Sequence, residues 1–254
     1  MWKFGSLLVI VFLLAGCVPL NSSGETISDC RAQMSAFLRL RSDLKLPEYF
    51  HVENPAKQGS EFDVMEYFTA LDHLSMKSGY KLDYVYHYDG MGGYPLLYAY
   101  PSDQLPYATE ADLPPSDTKA GYLDYVEADG TAASYFQFVV LALQASQFYQ
   151  YWHAGYNDTQ IVCDKAQVDD IVTSLGTVTT GARMPLISQV RARLLQGVEP
   201  TVIIGDQTVE VRLVTFTEWG GFYLTTYTIS RSFPHTIQDV QGQNLIPYDC
   251  GIMF

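Results

Sequence analysis

Positive charge, cysteine and recognisable catalytic signatures are all scarce in this sequence. Against 28 acidic residues there are 15 lysines and arginines, a formal net charge of −13. That balance argues against nucleic acid, or an anionic bilayer, as a partner held by general attraction. It selects no cationic partner either, because surface acidity also serves solubility. No GxSxG elbow, HExxH helix, S-x-x-K pair or Walker loop is present, so the familiar hydrolase, zinc-protease and nucleotide-binding signatures are missing. The histidines at 51, 73, 87, 153 and 235 are scattered, and none is paired at ligand spacing. The carboxylates of 103–117 do not form the D-x-D-x-DG ladder of a calcium loop. No metal or cofactor is signalled. The four cysteines include no C-x-x-C pair, which excludes the usual thioredoxin and zinc-knuckle spacings. No internal repeat or clear linker divides the chain.

Charge is also absent locally. From Gly130 to Asn157 there is no Asp, Glu, Lys or Arg, and Phe136, Val139, Val140 and Leu143 recur at helical spacing. With Thr131 as N-cap and Gly155 past the end, the pattern predicts a buried central helix over 131–153. Before it, helices are expected from Ser28 to ahead of Pro47 and over Ser60–Lys77, the latter with Ser60 and Asp63 as a capping pair. Alternation in 80–88, the glycine turn 89–93 and the return over 94–100 predict a β-hairpin. Its tyrosines read first as packing residues and second as an aromatic platform for sugar rings. Gly90, Gly92 and Gly93 match no phosphate-loop spacing. Tyr122–Val126 and Gln160–Val162 are strand candidates. Asp164 caps a helix running through Leu175, and Pro185 opens another to Gln196. The strands 201–204, 209–217 and 222–230 read as an antiparallel meander, and the apolar final residues as docked, at a sheet edge. The expectation is α+β: the hairpin 80–100 and the meander 201–230 packed around the helix 131–153. One domain over 28–254 is the first reading, with two lobes (28–128 and 129–254) second.

The first seventeen residues, MWKFGSLLVIVFLLAGC, run from a lysine through an apolar stretch to small residues. Even stretched from Phe4 to Val18, the apolar run is shorter than the roughly 20 residues of a spanning helix. Leu14-Ala15-Gly16-Cys17 resembles the lipobox of bacterial lipoproteins. The resemblance implies a signal over 1–16, cleavage before Cys17, and lipidation of Cys17, which becomes the first mature residue. Val18 in the next position resembles an outer-membrane address rather than an inner-membrane one. Residues 17–27 then read as a tether. The location implied is a cell or outer membrane, lipid-anchored, facing outside the cytoplasm. The resemblance covers this segment alone and names no family for the rest.

With Cys17 lipidated, an extracytoplasmic setting favours one disulfide among the remaining three cysteines, and Cys163–Cys250 is expected because both follow strands of the same half. Two candidate sites follow. His153, Asp158 and Cys163, with His235 and Asp249 supplied from the C-terminal part, offer a Cys–His nucleophile arrangement if Cys163 is reduced. Gln137 and Gln144, with Gln147, Gln150 and Trp152, offer a pocket for a small neutral polar ligand. The function expected is a membrane-anchored component binding a ligand, an envelope polymer or an envelope protein. The alternative is a hydrolase or transferase near His153 and Cys163. A third reading, a structural envelope component, would show a large exposed apolar or aromatic patch instead of a pocket.

Overall fold

The computed structural model describes residues 24–114, 121–152 and 154–252. The leader, Cys17, His153, Met253 and Phe254 lie outside them. In chain order the first elements are β1 (Glu25–Thr26), α1 (Cys30–Arg39), α2 (Tyr67–Ala70), β2 (Leu74–Met76), β3 (Tyr80–Tyr88), β4 (Gly93–Pro101) and β5 (Val126–Ala128). Then come α3 (Ala132–Gln144), β6 (Gln160–Val162), α4 (Lys165–Thr177) and α5 (Leu186–Arg193). The last four are β7 (Thr201–Ile204), β8 (Thr208–Thr217), β9 (Gly221–Ser230) and β10 (Ile237–Pro247). The helices and the antiparallel sheets make an α+β fold.

β7, β8, β9 and β10 pair in succession. β1 adds outside β7, and β6 takes the stretch of β8 that β7 leaves open. β10 extends the expected meander by one strand. Gln238 to Asn244 are exposed, so no apolar alternation marks it, and backbone pairing with β9 holds it. At the Trp219-Gly220-Gly221 corner Gly221 has φ +87°, and a β-carbon there would lie 2.1 Å from the Ile246 carbonyl oxygen. Only glycine fits.

Side chains alternate across a sheet, and here the alternation splits the core in two. Val209, Val211, Leu213, Tyr227 and Ile229 join α3 and the β3–β4 hairpin in one cluster. Val214, Phe216 and Phe222 join α4, Met184, Ala192, Tyr248 and Cys250 in the other. The same alternation corrects the expected disulfide. In and just after β6, Ile161 and Cys163 face the first cluster while Val162 faces the second. Cys250 lies in the second, so the sheet stands between it and Cys163. Cys163 instead bridges Cys30 at the start of α1, with Cα atoms 5.4 Å apart, and Cys250 is buried and unbridged. Beside the bridge, the Arg31 guanidinium donates to both oxygens of Asp164, at 2.7 and 2.6 Å.

The central helix is real but shorter than expected. Thr131 accepts the Ser134 N–H as N-cap, and ten of the thirteen residues of α3 are buried. It stops at Gln144 rather than near His153, because other segments take its last carbonyls. Arg41 donates to the Gln144 carbonyl and side chain, and the Tyr67 hydroxyl donates to the Ala145 carbonyl at 2.8 Å. Tyr151 then exchanges two backbone hydrogen bonds with Gly93 of β4.

The expected helix 60–77 is also corrected. Asp63 rather than Ser60 caps it, a 3-10 turn over Val64–Glu66 leads into α2, and the chain turns out at Leu71. Beyond that point the backbone has other partners. The His73 N–H donates to Gln137 of α3 at 2.9 Å, and β2 pairs with β5. Tertiary bonds override the local periodicity.

Candidate functional site

The expected hairpin forms, with Tyr80 opposite Pro101 through Tyr88 opposite Gly93. Tyr84, Tyr86 and Tyr98 are buried. The packing reading thus accounts for much of the hairpin's aromatic content. In the turn, one oxygen of Asp89 accepts the N–H groups of Met91 and Gly92, so the loop's donors hold its own carboxylate.

At the open end of the hairpin, segment 57–65 and residues 105–108 enclose a cleft of about 810 Å³. Lys57, Asp83 and Glu61 on its lining are already matched, while Lys81, also on the lining, is exposed. Lys57 pairs with Asp83 and lies 4.5 Å over the ring of Tyr84. Asp83 also accepts the Tyr84 N–H at 2.8 Å. Glu61 accepts the Tyr49 hydroxyl and the N–H groups of Gln58 and Gly59. Burial pushes Glu61 up, and these hydrogen bonds outweigh it, so its carboxylate is held below the ordinary range. Asp63 caps the Met65 N–H. Half-buried Tyr100 and Tyr107 supply rings, with Tyr107 tilted against Tyr98 at 4.9 Å between centroids, and Tyr98 itself 5.8 Å from Tyr100. Burial raises the Tyr100 hydroxyl, which stays a neutral donor and acceptor at ordinary pH.

The candidates drawn from sequence lie elsewhere. Gln137 is fully buried, accepting from His73 and donating to Gln33 and Asp72 at 3.3 and 3.2 Å. Gln144 accepts from Arg41 and donates to the Thr159 carbonyl. Gln147 bonds to Gly155 and Asn157, and Gln150 donates to the Ser146 carbonyl. These amides fasten α3 and the chain beyond it. Trp152 is exposed, in a left-handed conformation. None of these residues lines the cleft.

The nucleophile arrangement does not assemble among the described residues. The sulfur of Cys163 is in the bridge to Cys30. Asp158 accepts the Glu218 N–H, and Asp249 the Gly251 N–H. His235 is buried against Tyr135 and Phe138, with Nδ1 3.1 Å from the Ser230 carbonyl oxygen. A second imidazole, His73, meets Asp129 at 2.6 Å, and Asp129 also accepts from Thr131 at the start of α3. That pair ties β2 to the helix N-terminus, where a negative charge is favoured. Among the described residues no group of three His, Cys, Asp or Glu side chains is placed to hold a metal ion, and no helix is long and apolar enough to cross a membrane.

Lys57, Glu61, Asp83 and Tyr107 could be found from sequence only by folding it, since they come from three separated segments without shared periodicity. Asp83 and Tyr100 alone stood on the recognised hairpin. Comparison with known protein families, curated proteins and solved structures finds no match.

Proposed function

We propose that this chain is a membrane-tethered extracytoplasmic lipoprotein whose folded part binds a neutral, hydroxyl-rich ligand, such as the sugar units of an envelope polymer. The tether rests on the apolar leader and its Leu14–Cys17 lipobox. The binding reading rests on one observation, the mutual matching of Lys57, Asp83 and Glu61 inside the cleft. Lys57 and Asp83 neutralise each other and Glu61 already holds three donors, so a charged ligand at these groups would have to displace an existing partner. A neutral polyol needs only faces to lie on and polar edges to bond. Tyr100 and Tyr107 offer both.

Calorimetric titration of the mature protein with neutral oligosaccharides tests this. Tyr100→Ala and Tyr107→Ala should each weaken binding roughly tenfold, about 1.4 kcal/mol, the scale of a strong interface contact. Thermal unfolding should stay near that of the parent. Absence of binding to any neutral glycan, or binding indifferent to both substitutions, contradicts the reading.

A further inference from the structure

Helix α5 is inverted. It turns small residues, Ser188 and Ala192, toward the protein, while Leu186, Ile187, Val190 and Leu194 are 79, 68, 53 and 68% exposed. At about 100° per residue these four fall in one stripe roughly 100° wide, with Arg193 just outside one margin and Arg191 just outside the other. Arg183 stands exposed shortly before the helix. Between Asp170 and Glu199 the chain has no acidic residue, although acids outnumber bases 28 to 15 overall. The largest outward-facing apolar side chains of α5 therefore sit in a basic stretch of an acidic protein.

We propose that this face docks on an anionic membrane surface, with the stripe in the headgroup boundary and the arginines on lipid phosphates. Such a stripe with flanking cations is the pattern of a helix lying in the membrane interface. Overall negative charge does not forbid it, since charges beyond about 8 Å are largely screened at physiological salt. Chain geometry agrees. Six residues after Leu194, the Pro200 carbonyl accepts the Ile27 N–H at 2.9 Å, beside the pairing of β1 with β7. The end of α5 thus lies within roughly 20 Å of where the N-terminal segment enters the fold. The stretch from Cys17 to Gly24 spans at most about 25 Å. A second copy fits worse. A symmetric pairing on this stripe would set arginine against arginine, and four side chains fall short of the roughly 800 Å² per partner of a stable interface.

The docking rests on the tethered reading, and one experiment separates the two. The full chain carrying Ile187→Cys is produced in a lipidating bacterial host and labelled at that thiol with an environment-sensitive fluorophore. It is then mixed with vesicles of phosphatidylcholine alone or with phosphatidylglycerol added, and its mass is measured. Leu105→Cys, at a 90% exposed position by the cleft, serves as a control. The expected result is blue-shifted emission at 187 but not at 105. Affinity should be about fivefold higher per arginine, roughly a hundredfold in all, on the anionic vesicles. It should fall in high salt. A lipidated chain that floats with vesicles but stays water-exposed at 187 overturns the docking and keeps the tether. An unlipidated chain that still shifts on anionic vesicles keeps the docking and overturns the tether; one that does not shift overturns both. Equal shifts on both vesicle types overturn the anionic surface as partner. A shift that follows protein concentration without vesicles assigns the face to a second copy.

Discussion

α3 and α5 are both rich in large aliphatic side chains, and the fold uses them in opposite ways. α3 is enclosed by the hairpin, the segment around α2 and one face of the sheet, and even its Ser134 and Gln137 are buried. α5 lies near the other face, where α4, Met184, Phe216, Phe222 and Tyr248 belong to the core cluster and α5 adds Ala192. The difference teaches that apolar content does not by itself place a helix inward. What matters is whether the surface facing it still needs covering.

Substitution breaks or sharpens this contrast. Phe138→Ala in α3 should cost about 3–5 kcal/mol, the lost transfer energy of a buried ring plus a cavity. Ile187→Ala in α5 should stay within about 0.5 kcal/mol, as for exposed sites. Urea unfolding of both variants decides. A loss above about 2 kcal/mol at Ile187 would mean that α5 is packed in solution and the contrast fails.

Next in size is the link between the halves. The Cys30–Cys163 bridge closes a loop with a sequence separation of 133, for which chain entropy gives about 5 kcal/mol and natural bridges typically 2–4 kcal/mol. Cys30→Ser with Cys163→Ser should lower stability within that range, whereas Cys250→Ser should form the same bridge as the parent. Loss of the reducible bridge in Cys250→Ser would mean that the pairing is wrong.

The smallest effect is a titration at the start of α3. Hydrogen bonding to Asp129, opposed by burial, leaves the His73 pKa raised. Burial pushes Asp129 up, but Thr131 and His73 outweigh it and hold the group down at about 2. The histidine's contribution is whole below its unfolded pKa of about 6.5 and is lost as pH rises through the raised folded value. That of Asp129 is whole above about 3.9 and is lost as pH falls through about 2. Together they are fullest between roughly pH 4 and 6.5. The side chains are 38% and 44% exposed, so screening limits the effect to a few tenths of a kcal/mol. His73→Asn should cost more stability at pH 5.5 than at pH 8.5, read from denaturant midpoints. An equal cost at both contradicts the ion pair.

Much of the fold was legible locally. The alternation of Tyr80–Tyr88 and the turn at Asp89 fixed the hairpin, and Thr131 and Asp164 marked the starts of α3 and α4. Features decided by distant partners were not legible. Arg41 and Tyr67 end α3, Gln137 takes the backbone of His73, and β9 recruits the polar β10. Cys163 faces away from Cys250 because of a strand's alternation, which only the sheet makes consequential. For the site, Tyr100 was visible as part of a tyrosine-rich strand. The matched charges of Lys57, Asp83 and Glu61 were not, since matching is a property of contact rather than of spacing. The direction of α5 was equally hidden, because periodicity gives a stripe and not the side on which it lies.

The most direct test of the central claim, a tethered domain, is the intact mass of membrane-extracted protein, taken with thiol alkylation under denaturing conditions before and after reduction. The account predicts a chain beginning at Cys17 and carrying acyl groups, with Cys250 alkylated at once and Cys30 and Cys163 only after reduction. A chain of unmodified mass with a free Cys17 would contradict it.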